Sequence, residues 1–158
     1  MRSAVINLFV AMIWMLLQGE TSLMVFVVGW LVGFALLALF RPILGSAGYV
    51  RRTIALVRFL AVFTRAFLES CWQLIVISLF RPVSSLRPRV ITYDVRGLSL
   101  PEILLLSHSI SLTPGTTTID VAPERDHLLL HVLDAPDPEA VRDHIDRTLR
   151  RAILAFTR

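Results

Sequence analysis

Residues 2–42 run RSAVINLFVAMIWMLLQGETSLMVFVVGWLVGFALLALFRP, and how this stretch folds decides how the rest is read. From Ala4 to Phe40 it is apolar except around Gln18-Gly19-Glu20-Thr21-Ser22. As one helix it would be ~55 Å long at 1.5 Å per residue, against ~30 Å for a bilayer core. The break therefore predicts a tight hairpin between two spans, about 4–18 and 22–40. The first span is short and needs a thinned bilayer or shielding neighbours. A cleaved signal peptide with Arg2 as its charge is the competing reading. No small-x-small cleavage site follows the first run, and a second apolar run comes at once.

Outward from this hairpin the chain changes character. Of 158 residues, 55% are hydrophobic and 18% charged, where soluble domains carry about 25% charged. Residues 1–80 hold six Arg and two acids, Glu20 and Glu69, while residues 81–158 hold ten Arg and ten acids. A very apolar half is joined to a charge-balanced one, which excludes a disordered chain and a purely water-soluble one. All 16 basic residues are Arg. They punctuate apolar runs or stand near acids, and no basic patch interleaved with aromatics marks a nucleic-acid partner. The single Cys71 excludes an intramolecular disulfide and a cysteine zinc site, and reads as a buried thiol.

The second apolar run ends Leu39-Phe40-Arg41-Pro42, and a third ends Leu79-Phe80-Arg81-Pro82. Each places an aromatic at an interface, Arg among head groups and Pro as a helix stop. The boundaries expected are a membrane hairpin at 1–42, a basic loop at 43–52, a helix at 53–80, a linker at 81–89 and a domain at 90–158. Within the helix, Arg58 and Arg65 continue a seven-residue spacing from Arg51. Glu69 and Gln73 follow at steps of four, so all five share one stripe, a subunit-contact surface. Arg65 and Glu69 are spaced to pair. Segment 53–80 is either an amphipathic helix on the cytoplasmic membrane surface or a third span with its stripe facing protein. Two spans put Arg2, Arg41, Arg51, Arg52, Arg81, Arg87 and Arg89 on one side, which suits the positive-inside rule; residues 66–80 are nevertheless apolar enough to insert.

The second half alternates. Val90–Val95 reads as a strand and Arg96-Gly97 as a turn. Ser99-Leu100-Pro101-Glu102 forms a capping box opening a helix to about Ser109. Thr116–Ala122 and His127–Leu133 are strands joined by Pro-Glu-Arg-Asp. A last helix is capped at Asp137, begins at Pro138 and buries Val141, Ile145, Leu149, Ala152, Ile153 and Phe156. Asp143–Arg147 and Asp146–Arg150 are outward pairs. The fold class is an α-helical membrane segment of two or three helices plus a small α+β βαββα cytoplasmic domain.

In an unbroken register Ala122 faces His127 and Thr118 faces His131. Thr118, Asp120, His127 and His131 then form the polar face of the sheet, with Ile119, Val121, Leu128, Leu130 and Val132 on the core face. An Asp with two His invites a metal reading, but a full ligand set is missing, so no metal or cofactor is expected. Ser109, Ser111 and Asp120 with a His lack a nucleophile elbow, no glycine-rich phosphate loop is present, and no enzyme is expected. Ion transport needs ionisable groups inside the membrane, and two short spans cannot build an alternating-access path. An accessory role follows.

The segment Ser109-Ile110-Ser111-Leu112-Thr113-Pro114-Gly115-Thr116, then Ile119-Asp120-Val121 and Leu130-His131-Val132-Leu133-Asp134, resembles the E subunit of the multi-subunit Mrp-type (Mnh) sodium/proton antiporters of bacteria. The resemblance runs over the whole chain. It implies a hetero-oligomeric complex in the cytoplasmic membrane that exchanges cytoplasmic Na⁺ for external H⁺. It also implies two large antiporter-like partners carrying the ion paths, several small membrane subunits, and a cytoplasmic C-terminal domain with no catalytic residue. Pro114 and Gly115 suit a type II turn from helix into strand, with Thr113 and Thr116 bonding nearby backbone. Thr113, Pro114, Gly115 and Thr116 are thus expected to form a structural or assembly turn rather than a cation-binding loop. The alternative function is a free-standing membrane-anchored regulatory or ligand-binding module.

Overall fold

Gly19, with φ +67°, turns the apolar stretch back on itself, in the left-handed region that glycine enters without strain. A computed structural model describes residues 2–158. On either side of the turn stand α1 (Arg2–Gln18) and α2 (Leu23–Leu39). Ser22 caps α2, its Oγ accepting from the Val25 N–H at 3.2 Å. Each helix has 17 residues, about 25 Å. Among the described residues no helix is long and apolar enough to cross a membrane.

The two helices approach through Gly29-x-x-x-Gly33. A Cβ on Gly29 would lie 2.8 Å from Trp14 Cβ, and one on Gly33 would lie 2.2 Å from Asn7 Oδ1. Small residues at this spacing let apolar helices close without steric conflict. Asn7 is wholly buried, and its Nδ2 donates to the Tyr49 hydroxyl at 2.8 Å. The Phe34 ring stacks on Trp30 at 5.8 Å and meets the edge of Tyr49 at 6.1 Å.

The 43–52 segment is not a loop. Pro42 lies in the first turn of a short α3 (Arg41–Leu44), where its missing N–H costs nothing. Gly45, at φ +62°, ends α3. Ser46 then turns the chain, its hydroxyl donating to the Leu37 carbonyl at 2.6 Å, into α4 (Ala47–Phe80). Gly48, Arg51 and Arg52 are helical, because a single glycine costs a helix only about 1 kcal/mol and no proline interrupts 47–80. Cys71, in the same helix, is half-buried rather than buried. The chain divides into two compact units, one ending at Ile54 and the other Ala55–Arg158. The division thus falls inside α4 rather than at the 81–89 linker.

In the second unit, β1 (Arg89–Asp94), β2 (Thr116–Val121) and β3 (His127–Val132) form an antiparallel sheet in the order β1-β3-β2. Helix α5 (Leu100–Leu112) runs one turn past the expected end. Its capping box forms, with Glu102 Oε2 accepting from the Ser99 N–H at 2.7 Å. The C-terminal helix begins as α6 (Pro138–Ile145), with Asp137 Oδ1 accepting from the Glu139 N–H at 3.0 Å. It widens into a π-helical turn at Asp146–Arg150 and ends as α7 (Arg151–Thr157). The wide turn sets Asp146 to accept from the Tyr93 hydroxyl and Arg150 over the Tyr93 ring at 6.0 Å. Burial and the Asp146 bond push the Tyr93 phenol above its ordinary range. Ile91, Val95, Ile103, Leu106, Leu128, Leu130, Ile145, Leu149 and Ile153 form the core, and Phe59 of α4 belongs to it.

The register differs from the unbroken one. Asp120 pairs with Leu129 as expected, but Ile119 is a bulge, so Thr118 stands opposite Leu130 and Thr117 opposite His131. Thr118 therefore leaves the polar face for the helix side, where its Oγ1 donates to the Ser107 carbonyl at 3.2 Å. Ile119 is 52% exposed instead of core. The grip of α5 on β2 explains the slip: Ser111 Oγ accepts from the Thr118 N–H at 3.0 Å, fixing the strand's outer edge one residue out of step with β3.

Candidate functional site

The turn after α5 and the polar stripe of α4 border one cavity. It has a volume of about 370 Å³, and its lining includes Glu69, Gln73, Thr113, Gly115, Asp134 and His144. The turn is built as its sequence requires. Gly115 has φ +91°, and the Thr116 N–H donates to the Thr113 carbonyl at 3.2 Å. Thr113 Oγ1 donates to the Ser109 carbonyl at 2.8 Å and Thr116 Oγ1 to the Ile110 carbonyl at 2.8 Å. The Gly115 carbonyl in turn accepts from the Leu133 N–H at 2.9 Å. These bonds fasten the end of α5 to the start of β2 and the end of β3, and they occupy both threonine hydroxyls as donors.

The α4 wall is stapled to the domain at both ends. Phe59 packs on Phe156 with ring centroids 5.3 Å apart. Arg81 Nη1 lies 2.6 Å from Asp134 Oδ2, holding that carboxyl below its usual range. Of the stripe, Arg65 and Glu69 pair at 2.7 Å. Glu69 and Gln73 reach the cavity, while Arg58 and Arg65 line a second depression with Arg147 and Arg151. Arg51 belongs to the first unit and joins neither. All five stripe residues are exposed.

Asp120 and His131 are exposed on the polar face of the sheet, away from this cavity. His127 turns to Asp126, Nδ1 to Oδ1 at 2.6 Å. Among the described residues no group of three or more His, Cys, Asp or Glu is placed to hold a metal.

The most highly connected ionisable group is one that the local sequence marks only as a cap. Glu102 is 4% exposed. It accepts from Ser99 and from Thr157 Oγ1 at 2.7 Å, and it lies 3.3 Å from Arg158 Nε. The Ser99 N–H, then Thr157, lower its pKa to about 2. Only the tertiary fold brings residues 157 and 158 to residue 102.

Curated relatives match nearly end to end. The chain is 29% identical to the Na(+)/H(+) antiporter E subunit of Alkalihalophilus pseudofirmus, over 97% of this chain and 96% of that one. It is 27% identical to the Na(+)/H(+) antiporter E subunit of Bacillus subtilis over the same shares. Among solved structures, a chain of the membrane-bound sulfane sulfur reductase, an archaeal respiratory membrane complex, shares the fold with a TM-score of 0.55 at 23% identity, over 96% of each chain. The family described as Na⁺/H⁺ ion antiporter subunit, MNHE, matches residues 7–156. Antiport is a transport activity rather than an enzymatic one, and with nearly its whole length matched the chain belongs to this family of antiporter subunits, among relatives that carry the E designation.

Proposed function

We propose that the chain is a non-catalytic accessory subunit of a multi-subunit monovalent cation/proton antiporter in the bacterial cytoplasmic membrane. The observation that carries this is the poverty of the hairpin in ionisable groups: α1 holds only Arg2, and α2 holds none. Exchange of Na⁺ for H⁺ needs side chains that take up charge at membrane depth. The chemistry of such an exchange therefore resides in partners, two large antiporter-like subunits and several small ones. The hairpin anchors this chain among them, and the βαββα domain is cytoplasmic. The Thr113–Thr116 turn and the α4 stripe serve assembly, because the turn's hydroxyls are already bonded to backbone.

Co-expression of the tagged chain with the other subunits, followed by purification in mild detergent, tests this. It is expected to co-migrate with them on blue-native gels. A lone, monodisperse chain that exchanges Na⁺ for H⁺ in liposomes would overturn the accessory role. The cavity favours the second reading, a free-standing ligand-binding module; stable accumulation of the chain with the other subunits deleted supports that reading instead.

A further inference from the structure

Helix α4 has three faces. Phe59 and Ala66 are buried toward the domain, with Val62, Phe63, Ser70, Leu74 and Ile77 half-buried beside them. On the opposite side Val57, Leu68, Trp72, Ile75 and Leu79 are bare, Trp72 67% and Leu79 70% exposed. Arg58 and Arg65 run down one flank, about 100° round from the buried face, continuing the seven-residue spacing from Arg51. We infer that this outward face of α4 lies in the plane of a bilayer surface, its apolar residues in the acyl boundary and its arginines on anionic phospholipid head groups.

Two observations select this occupant. First, α4 is held to the domain from Phe59, packed on Phe156, to Arg81, paired with Asp134, a length of ~33 Å. A helix crossing the bilayer over that length would drag Phe156 and Asp134, with the polar surfaces around them, through ~30 Å of hydrocarbon. Second, the charge is unbalanced: Arg58, Arg65, Arg147 and Arg151 border one depression in which Glu69 is the one acid among the lining residues, a basic surface suited to anionic lipid. A Trp at the edge of such a face suits the interfacial layer. A neutral partner helix would match the apolar residues but leave Arg58 and Arg151, which have no ion pair among the described residues, without counter-charge.

This rests on the hairpin being membrane-embedded, and its test is independent of co-purification. In a Cys71→Ser background, Val57→Cys, Leu68→Cys, Ile75→Cys and Leu79→Cys are spin-labelled one at a time in the full chain. The protein is then placed in phosphatidylcholine vesicles with or without phosphatidylglycerol. Collision with oxygen and with a water-soluble nickel chelate reports depth. The expected result is one common shallow depth for all four sites in phosphatidylglycerol vesicles. The lipid-seated fraction should fall several-fold without the anionic lipid, or with Arg58→Gln and Arg65→Gln combined, and return with Lys at both sites. A depth that changes steadily from 57 to 79 means a span and overturns the inference. So does shielding from both reagents, which means a protein cover, or a depth indifferent to lipid charge and to the Gln substitutions.

Discussion

Replacing Gly33 with Ala introduces one methyl group where the structure leaves no room. The new Cβ would sit 2.2 Å from Asn7 Oδ1 and 3.1 Å from Val10 Cβ and Cγ1. The Val10 contacts yield by a few tenths of an ångström, but the oxygen must move by about 1 Å. Asn7 is wholly buried, and its other terminal atom is tied to the Tyr49 hydroxyl. Either α1 and α2 separate, at about 1–3 kcal/mol for an overpacked contact, or Asn7 rotates and gives up a hydrogen bond worth about 0.5–1.5 kcal/mol. The expected loss is about 2 kcal/mol, roughly a thirtyfold shift toward the opened hairpin. Thermal unfolding of the full chain in mild detergent, followed by Trp fluorescence, measures it. Asn7→Ala combined with Gly33→Ala removes the offending oxygen and should recover more than half of the loss, a coupling that independent sites do not show. Gly48→Ala is the control: its Cβ would meet nothing within 4 Å, so the change is neutral or stabilising. A Gly33→Ala chain as stable as the parent, or a double variant no better than the single one, would refute the close approach.

The turn and the buried carboxylate are tested separately. Gly115→Val meets no steric obstacle but must hold φ +91°, a strain of about 1–3 kcal/mol; with Pro114→Gly and Thr113→Tyr it should lower the assembled complex on blue-native gels without changing ion selectivity. Normal assembly with a sharply raised KM for Na⁺ in Thr113→Ala would instead make the turn a cation site. Glu102, with its pKa lowered from 4.5 to about 2, contributes stability that is complete above about pH 4.5 and is lost as pH falls toward 2. Glu102→Gln should cost roughly 1–3 kcal/mol at neutral pH and flatten the acid limb of a pH–denaturation series; an unchanged acid limb would contradict the Glu102 clasp.

The polar, glycine-containing break at Gln18–Ser22 located the helical hairpin, because it is where the apolar run from Ala4 to Phe40 is interrupted by residues suited to a turn. Local chemistry also marked the capping box at Glu102, the cap at Asp137 and the Pro114-Gly115 turn, since each acts on backbone groups within a few residues. The Arg65–Glu69 pair was legible for the same reason. The Gly29/Gly33 contact was not, because in a run where nearly every residue is apolar, hydropathy does not say which ones face a partner helix.

What the sequence determined by itself is thus the set of local elements, whose hydrogen bonds close within one turn or one hairpin, together with the motif that carries the family likeness. The tertiary structure decided what those elements share. The bulge at Ile119 depends on Ser111 gripping Thr118 from another element, so the two-residue alternation of the strand could not reveal that Thr118 leaves the polar face. The linker at 81–89 looked like a boundary from its prolines. Yet Phe59 and Arg81 bind α4 to residues 156 and 134, and the cavity beside Thr113–Thr116 exists only because that helix closes over it. Contacts between residues so far apart in the chain leave no local period or spacing to read, since either partner's composition is equally compatible with being left exposed.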